Sequence, residues 1–203
     1  MLYQFGKLIS WLLAKLIGRM TVVGRENIPR KGGVMVCANH ISYADPPVLG
    51  AASRRPLHYM AKIELFQIPV LGKLIKWVGA FPVQQRTADR AAIKKAIEYL
   101  EKGEVVAMFP EGQRVFGGQL GEPLPGVGMI VLRAKAPVIP AALIRTDKFL
   151  PPHKLLPKFS RVRVVFGEPV KLDDLYDQSG REAVEEVGKR IMAAIGALIE
   201  QNR

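Results

Sequence analysis

The sequence predicts a single α/β fold, in which a mixed sheet of about seven strands carries helices on both faces and follows an amphipathic N-terminal helix. The chain has 203 residues, which suits one domain. Short β-rich segments alternate with helical segments, as in folds whose strands are connected by helices. Several β-rich segments are apolar throughout, which is typical of strands that are covered on both faces.

The predicted strands are short runs rich in β-branched and aromatic residues. They span 21–23, 33–37, 57–60, 80–83, 105–109, 138–144 and 162–166. The helices predicted between and after them begin at Pro46, span 64–78, span 88–102, begin at Pro125 and span about 181–201. The last helix shows an apolar stripe of Val184, Val187, Ile191, Ile195 and Leu198. The proline-rich segment 147–157 is predicted to be a surface loop.

Residues 2–20 are rich in Leu, Ile, Trp and Phe, but Lys7 and Lys15 interrupt them. The run therefore falls short of the roughly 18 to 20 apolar residues that a spanning helix needs, and it lacks the features of a signal peptide. On a helical wheel, Phe5, Ile9, Leu12, Leu13, Leu16 and Met20 share one side, and Gln4, Lys7, Ser10, Ala14, Lys15 and Gly18 the other. We expect residues 1–20 to lie in an anionic membrane interface and 21–203 to form the α/β domain. The alternative is a terminal helix that packs on its own domain.

The chain carries 30 Lys and Arg against 18 Asp and Glu, a formal charge of +12. Such an excess suggests a polyanionic partner: nucleic acid, an anionic lipid surface, an acidic protein or a phosphorylated substrate. The basic residues are spread along the chain without a block or aromatic interleaving, so we expect no nucleic-acid partner. A single cysteine, Cys37, excludes an internal disulfide and a cysteine-based zinc site.

Polar clusters follow three of the predicted strands, where the sites of open α/β sheets usually gather. His40 follows 33–37, Gln84-Gln85-Arg86 follows 80–83, and Glu111-Gly112-Gln113-Arg114 follows 105–109. Clusters at the ends of different strands can converge on one cleft. We therefore take them as the candidate site.

His40 and Asp45 have the residue types of a general base and the carboxylate that orients it. A neutral imidazole can remove a proton from a hydroxyl, and a nearby carboxylate fixes its tautomer and stabilises the imidazolium. With three histidines and six aspartates in the chain, this spacing arises by chance about one time in ten. Asp45 also fits a helix cap before Pro46, and His40 a loop histidine, so the spacing leaves both alternatives open.

The segment 109–114 combines a strand end, a glycine turn and a cation. Gly112 permits a tight turn, and the guanidinium of Arg114 suits a phosphate. Glu111 could orient that arginine or accept a hydrogen bond from a substrate hydroxyl. Lys62 and Arg86 are further candidate cations, although each also fits a solvated surface charge.

Taken together, these motifs resemble the phospholipid and glycerol acyltransferase family, in particular the bacterial 1-acyl-glycerol-3-phosphate acyltransferases. The resemblance covers roughly residues 22 to 170. It rests on ordered motifs, which are Asn39-His40-x4-Asp45, 59–66, 79–83, 109–114 and 136–140. Two departures stand out: Gln113 and Val115 replace the usual Thr and Ser of the third motif, and the usual Arg of the second motif is Gln85, with Arg86 one place later.

The resemblance implies transfer of a fatty acyl group from acyl-CoA or acyl carrier protein to lysophosphatidate. It implies His40 as general base, Asp45 as its orienting partner, and Glu111, Gly112 and Arg114 in glycerol-phosphate binding, with Lys62 or Arg86 nearby. No metal or prosthetic group is expected, and the enzyme would sit peripherally on the cytoplasmic face of the cell membrane. Alternatives are an acyltransferase for glycerol-3-phosphate or another lysophospholipid, and a non-catalytic basic lipid-binding module.

Overall fold

The helices and strands alternate along the chain, as the sequence predicts. The computed structural model describes residues 2–77, 79–84, 89–117, 119–154 and 156–203. The strands are β1 Thr21–Val23, β2 Val34–Ala38, β3 Leu57–Lys62, β4 Ala80–Val83, β5 Val105–Met108, β6 Val138–Ile144 and β7 Arg163–Phe166. The helices are α1 Leu2–Leu16, α2 Asp45–Ala52, α3 Pro69–Trp77, α4 Arg90–Glu101, α5 Pro125–Ala134, α6 Thr146–Phe149 and α7 Arg181–Asn202.

The strands form one sheet in the order β1-β7-β6-β2-β5-β3-β4. From β6 to β4 all neighbours are parallel, whereas β7 is antiparallel to β6 and carries β1 parallel to itself. The predicted mixed sheet is therefore confirmed. The carboxyl ends of the five parallel strands lie along one edge, called here the carboxyl edge, and loops that leave it can share a site.

Strand β2 shows how the sheet is covered on both sides. Its five residues are all buried. Val34 and Val36 pack in a cluster with residues of α2, while Met35 and Cys37 pack with residues of α4, α5 and α7. Because successive side chains of a strand point to opposite faces, an apolar strand needs a helical layer on each.

Two predicted helices differ from the structure, one in where it begins and one in part of its buried face. The segment predicted as one helix over 64–78 contains a 3-10 helix, Ile63–Gln67, before α3 begins at Pro69, since proline suits a first turn but not a helix interior. In α7, Val187, Ile191 and Ile195 of the predicted stripe are buried, whereas Val184 and Leu198 are only partly buried. Ala183, Gly188 and Met192 complete the buried face. Helix α5 approaches closely here: a Cβ on Gly128 would lie 2.3 Å from the Val184 carbonyl oxygen.

The N-terminal helix rests on the domain through its polar and small side. Lys7 Nζ donates to the Ser53 carbonyl oxygen over 2.6 Å, and Ala14 is fully buried. The helix ends at Leu16, so the prediction that Met20 belongs to its apolar side is wrong; Met20 is a core residue. The large apolar side chains of α1 are exposed instead: Phe5, Leu8, Ile9, Trp11, Leu12, Leu13 and Leu16. Among the described helices, none has the length and apolar character to cross a membrane.

Candidate active site

His40 and Glu111 meet at the carboxyl edge because the strands that precede them are parallel neighbours. His40 lies two residues after β2 and Glu111 three residues after β5. Glu111 Oε2 accepts a hydrogen bond from the His40 backbone N–H over 3.0 Å, and the Val115 N–H donates to the His40 carbonyl over 2.8 Å. Two of the three predicted polar clusters thus lie together, and the third, Gln84-Gln85-Arg86, lies largely outside the described residues.

The Asp45 carboxylate forms a hydrogen bond with the imidazole of His40. Its Oδ2 lies 2.8 Å from His40 Nδ1 and also accepts the backbone N–H groups of Ile41 and Ser42, over 2.6 and 2.7 Å. The helix-cap alternative is therefore wrong, because the carboxylate turns back onto the preceding turn and the N-cap of α2 is Ala44. An ionised carboxylate oxygen can only accept, so this contact selects the tautomer in which Nδ1 donates and Nε2 is left to accept.

The His40–Asp45 pair is held in an apolar setting. Asp45 is fully buried, while the His40 side chain keeps 18% of its surface exposed. The imidazole stacks on the Phe109 ring, with centroids 4.2 Å apart and an angle of 20° between the planes. Oδ1 of Asp45 is buried without a hydrogen-bond partner among the described residues. A carboxylate in this position can stabilise the imidazolium that forms when the base takes up a proton.

Glu111 ties two backbone segments together. Oε2 binds the His40 N–H, and Oε1 accepts the Gly121 N–H over 3.0 Å. The side chain is 5% exposed, and this burial raises the pKa of Glu111. Both oxygens of Glu111 accept backbone N–H groups, and no ion pair with Arg114 is present among the described residues. Gly112 has φ of +67°, and a Cβ there would lie 2.2 Å from Leu124 Cδ1, so the turn requires glycine.

Arg114 lies against aromatic rings. Its guanidinium carbon is 3.5 Å from the centroid of the Tyr43 ring and 5.6 Å from that of Phe116. Tyr43 belongs to the turn between His40 and Asp45, so the stack holds the cation beside the candidate base. A guanidinium stacked by its face keeps its N–H edge available for an anion.

The acyltransferase family model matches residues 19–144, which span all of this site. The chain belongs to the acyltransferase family. It is 31% identical over 185 residues to the 1-acyl-sn-glycerol-3-phosphate acyltransferase of Bacillus subtilis, covering 89% of this chain and 88% of that protein. The enzyme of the same name from Streptococcus pneumoniae is 28% identical over 97% of this chain and 72% of its own length.

A crystal structure supports the same assignment. The 1-acyl-sn-glycerophosphate acyltransferase PlsC from Thermotoga maritima superposes with a TM-score of 0.76 at 25% identity, covering 100% of this chain and 78% of that one. The family resemblance and the fold predicted for this acyltransferase are confirmed. The roles of individual residues rest on the geometry given above.

Not every predicted cation joins the site of this acyltransferase. Lys62 ends β3, two strands from β2 on the carboxyl edge, and its side chain is 46% exposed. Its ammonium pairs with Glu64 over 3.6 Å instead of joining the hydrogen bonds around His40. Arg86 and Gln85 lie outside the described residues.

The acyltransferase site also includes residues to which sequence reasoning gave no role. The buried Asn39 amide donates to the Leu143 carbonyl over 3.0 Å and accepts the Leu143 N–H over 2.7 Å. It thus extends the pairing of β2 with β6 to the residue before His40. The sequence signal for Asn39 was a polar residue directly after a strand that is apolar throughout. For Tyr43, the signal was an aromatic side chain between the candidate base and its carboxylate.

Proposed function

We propose that this acyltransferase transfers a fatty acyl group to the sn-2 hydroxyl of 1-acyl-glycerol-3-phosphate, making phosphatidate in phospholipid synthesis. The acyl donor is a thioester, either of CoA or of acyl carrier protein. The observation that carries the proposal is the buried Asp45 carboxylate, 2.8 Å from His40 Nδ1 in a turn that includes Tyr43, the ring on which Arg114 stacks. The names of the relatives support this acceptor.

His40 acts as the general base. Asp45 keeps the proton on Nδ1, so Nε2 accepts the proton of the acceptor hydroxyl as its oxygen attacks the thioester carbonyl. The carbon–sulfur bond then breaks, and the leaving thiolate takes the proton back from the imidazolium. The base and the thioester supply all the chemistry of this reaction, so we propose that it needs neither a metal nor a prosthetic group.

Arg114 binds the phosphate of the acceptor. Stacking on Tyr43 orients the guanidinium by its face, which leaves its N–H edge able to donate to the phosphate oxygens. Because Tyr43 and His40 lie in one turn, a phosphate bound to Arg114 keeps the glycerol hydroxyls close to the base. Lys62 would have to leave its ion pair with Glu64 to reach the same phosphate, and Arg86 is proposed for it from the family resemblance alone.

The enzyme works at an anionic membrane surface, on its cytoplasmic face, as a peripheral protein. The apolar side chains of α1 face outward, with Phe5 62% and Leu16 70% exposed. Lys15 is exposed beside them. A helix of this kind binds the interface of a bilayer and favours anionic lipid. This places the enzyme where its lysolipid acceptor resides.

The test measures thiol release from both donors with lysophosphatidate in vesicles. We expect His40→Ala to abolish turnover, with His153→Ala as the control because His153 is exposed. Near-normal turnover of the His40 variant would end this account. Arg114→Ala should raise the KM for lysophosphatidate. A panel with glycerol-3-phosphate and other lysophospholipids identifies a different acceptor, and vesicle binding without thiol release would indicate a lipid-binding module.

A further inference from the structure

We propose that the segment 156–161, called here the anchor segment, is a second membrane contact that inserts Leu156 and Phe159 into an anionic bilayer. The inference rests on the proposed lipid substrate and on the membrane contact of α1. Leu156 is 78% and Phe159 81% exposed. Single apolar side chains at a surface are common, but a group of large ones beside a further apolar surface indicates an interaction site.

The anchor segment adjoins the exposed side of α1. The Ser160 N–H donates to the Ile17 carbonyl over 3.2 Å, and the Val162 N–H donates to the Gly18 carbonyl over 2.8 Å. These bonds place Phe159 beside the C-terminal end of α1, where Leu16 is exposed. The apolar surface of the helix therefore continues onto a second element.

The charge around the anchor segment fits anionic lipid. Lys154, Lys158 and Arg161 are exposed, and the sequence from 150 to 163 contains no acidic residue. Lys15 and Arg19, at the end of α1, are exposed as well. Large apolar side chains among lysines and arginines match a bilayer surface, where the apolar groups enter the acyl region and the cations meet the headgroups.

The anchor segment lies on the same edge as the chemistry. It follows β6, the neighbour of β2, and β6 ends at the carboxyl edge from which His40 emerges. Ser42 Oγ, in the turn of His40, donates to the Leu150 carbonyl over 2.9 Å. Membrane contacts at both α1 and the anchor segment beside it restrict the rotation of the enzyme about the helix axis, which a single helix would allow. A docked anchor segment thus holds the His40 turn against the membrane, where the acceptor headgroup lies.

The test compares the full chain with Leu156→Ser/Phe159→Ser and with Val23→Ser. Val23 is 51% exposed at the end of β1, which runs away from the carboxyl edge. With phosphatidylglycerol vesicles we expect the double variant to bind at least about tenfold more weakly, from the lost burial of two large side chains. Its apparent KM for vesicle-borne lysophosphatidate should rise, while turnover of a short-chain, monomeric lysophosphatidate stays unchanged. Val23→Ser should match the wild type.

A labelling experiment tests insertion directly. Cys37, the one cysteine of the chain, is fully buried and its thiol pKa is raised by that burial, so a Phe159→Cys variant takes a thiol-directed fluorophore at one site. We expect the emission of the fluorophore at position 159 to shift to the blue when phosphatidylglycerol vesicles are added, and the emission of the same fluorophore on Val23→Cys to stay unchanged.

An unshifted label at 159, or wild-type vesicle affinity in the double variant, would overturn the inference and leave the acyltransferase function standing. If the wild type neither binds vesicles nor releases thiol, the proposed function fails first. Loss of turnover with acyl carrier protein alone, at unchanged vesicle binding, would assign the surface to an acidic protein and also overturn the proposal.

Discussion

Replacing Asp45 by asparagine tests the central part of the site, because it removes one charge and keeps the shape. In the wild type, Oδ2 accepts three hydrogen bonds, from His40 Nδ1, Ile41 N and Ser42 N. The amide oxygen of asparagine can accept the same three. The amide NH2 then takes the place of Oδ1, which has no hydrogen-bond partner among the described residues. The variant should therefore fold with the same turn but without the charge that stabilises an imidazolium.

The expected loss of rate follows from Coulomb's law. Because Asp45 Oδ2 and His40 Nδ1 are 2.8 Å apart, the charges of the ion pair lie about 4 Å apart and attract by about 4 kcal/mol at an effective dielectric constant of about 20. That energy corresponds to about a thousandfold in rate. Since the wild-type Oδ1 already has no partner among the described residues, the amide NH2 creates no additional unsatisfied group, and we expect the Tm of the variant to stay close to that of the wild type.

The assay is thiol release at saturating donor and acceptor, with thermal unfolding of the same samples. Asp173→Asn is the control, since it removes a negative charge from an exposed position. We expect Asp45→Asn to lose about a thousandfold in kcat and the control to keep wild-type activity. A kcat within tenfold of wild type in a folded Asp45→Asn variant would refute the role of the carboxylate as partner of the base.

Further predictions concern the groups around the pair. Tyr43→Leu should raise the KM for lysophosphatidate about two- to fivefold at unchanged kcat. Tyr43→Phe, which keeps the ring, should leave the KM unchanged, and Tyr43→Leu should not raise the KM further when combined with Arg114→Ala. Equal KM values for the Leu and Phe variants would contradict the stack. Asn39→Ala leaves both backbone groups of Leu143 without their partner and should cost about 2–6 kcal/mol in urea unfolding; a loss under 1 kcal/mol would contradict this. Burial raises the pKa of Glu111, so the folded chain holds this proton where the unfolded chain has lost it. The free energy of unfolding of the wild type minus that of Glu111→Gln should therefore fall as pH rises from the ordinary glutamate range through the raised pKa, and a flat or rising difference would exclude this linkage.

Local patterns were sufficient for most of the fold. Apolar β-rich runs predicted all seven strands of the sheet within two residues at each end. Such runs are local signals: a central strand such as β2, covered on both faces, must be apolar along its whole length, and edge strands such as β1 are recognised by their β-branched residues. The error at α3 was local too: Pro69 begins a helix, and a periodicity that passes through a proline does not show the break.

The site was harder to predict, since its decisive bonds join distant residues. The motif letters identified His40, Asp45 and Glu111, but local spacing could not choose between a helix cap and a partner for the base. Glu111 meets the N–H of His40 across 71 positions of sequence. Only the parallel pairing of β2 with β5 brings these residues together.

The sequence by itself determined the α/β class, the strands, the family motifs and the presence of an amphipathic helix at the N-terminus, because each depends on composition and short spacing. The tertiary structure decided which groups the Asp45 and Glu111 carboxylates bind, where Arg114 lies, and which side of α1 faces outward. Those choices depend on the surfaces that other elements present. For α1, the groove beside α2 accepts small and polar side chains such as Ala14 and Lys7, and the large apolar side chains are left exposed.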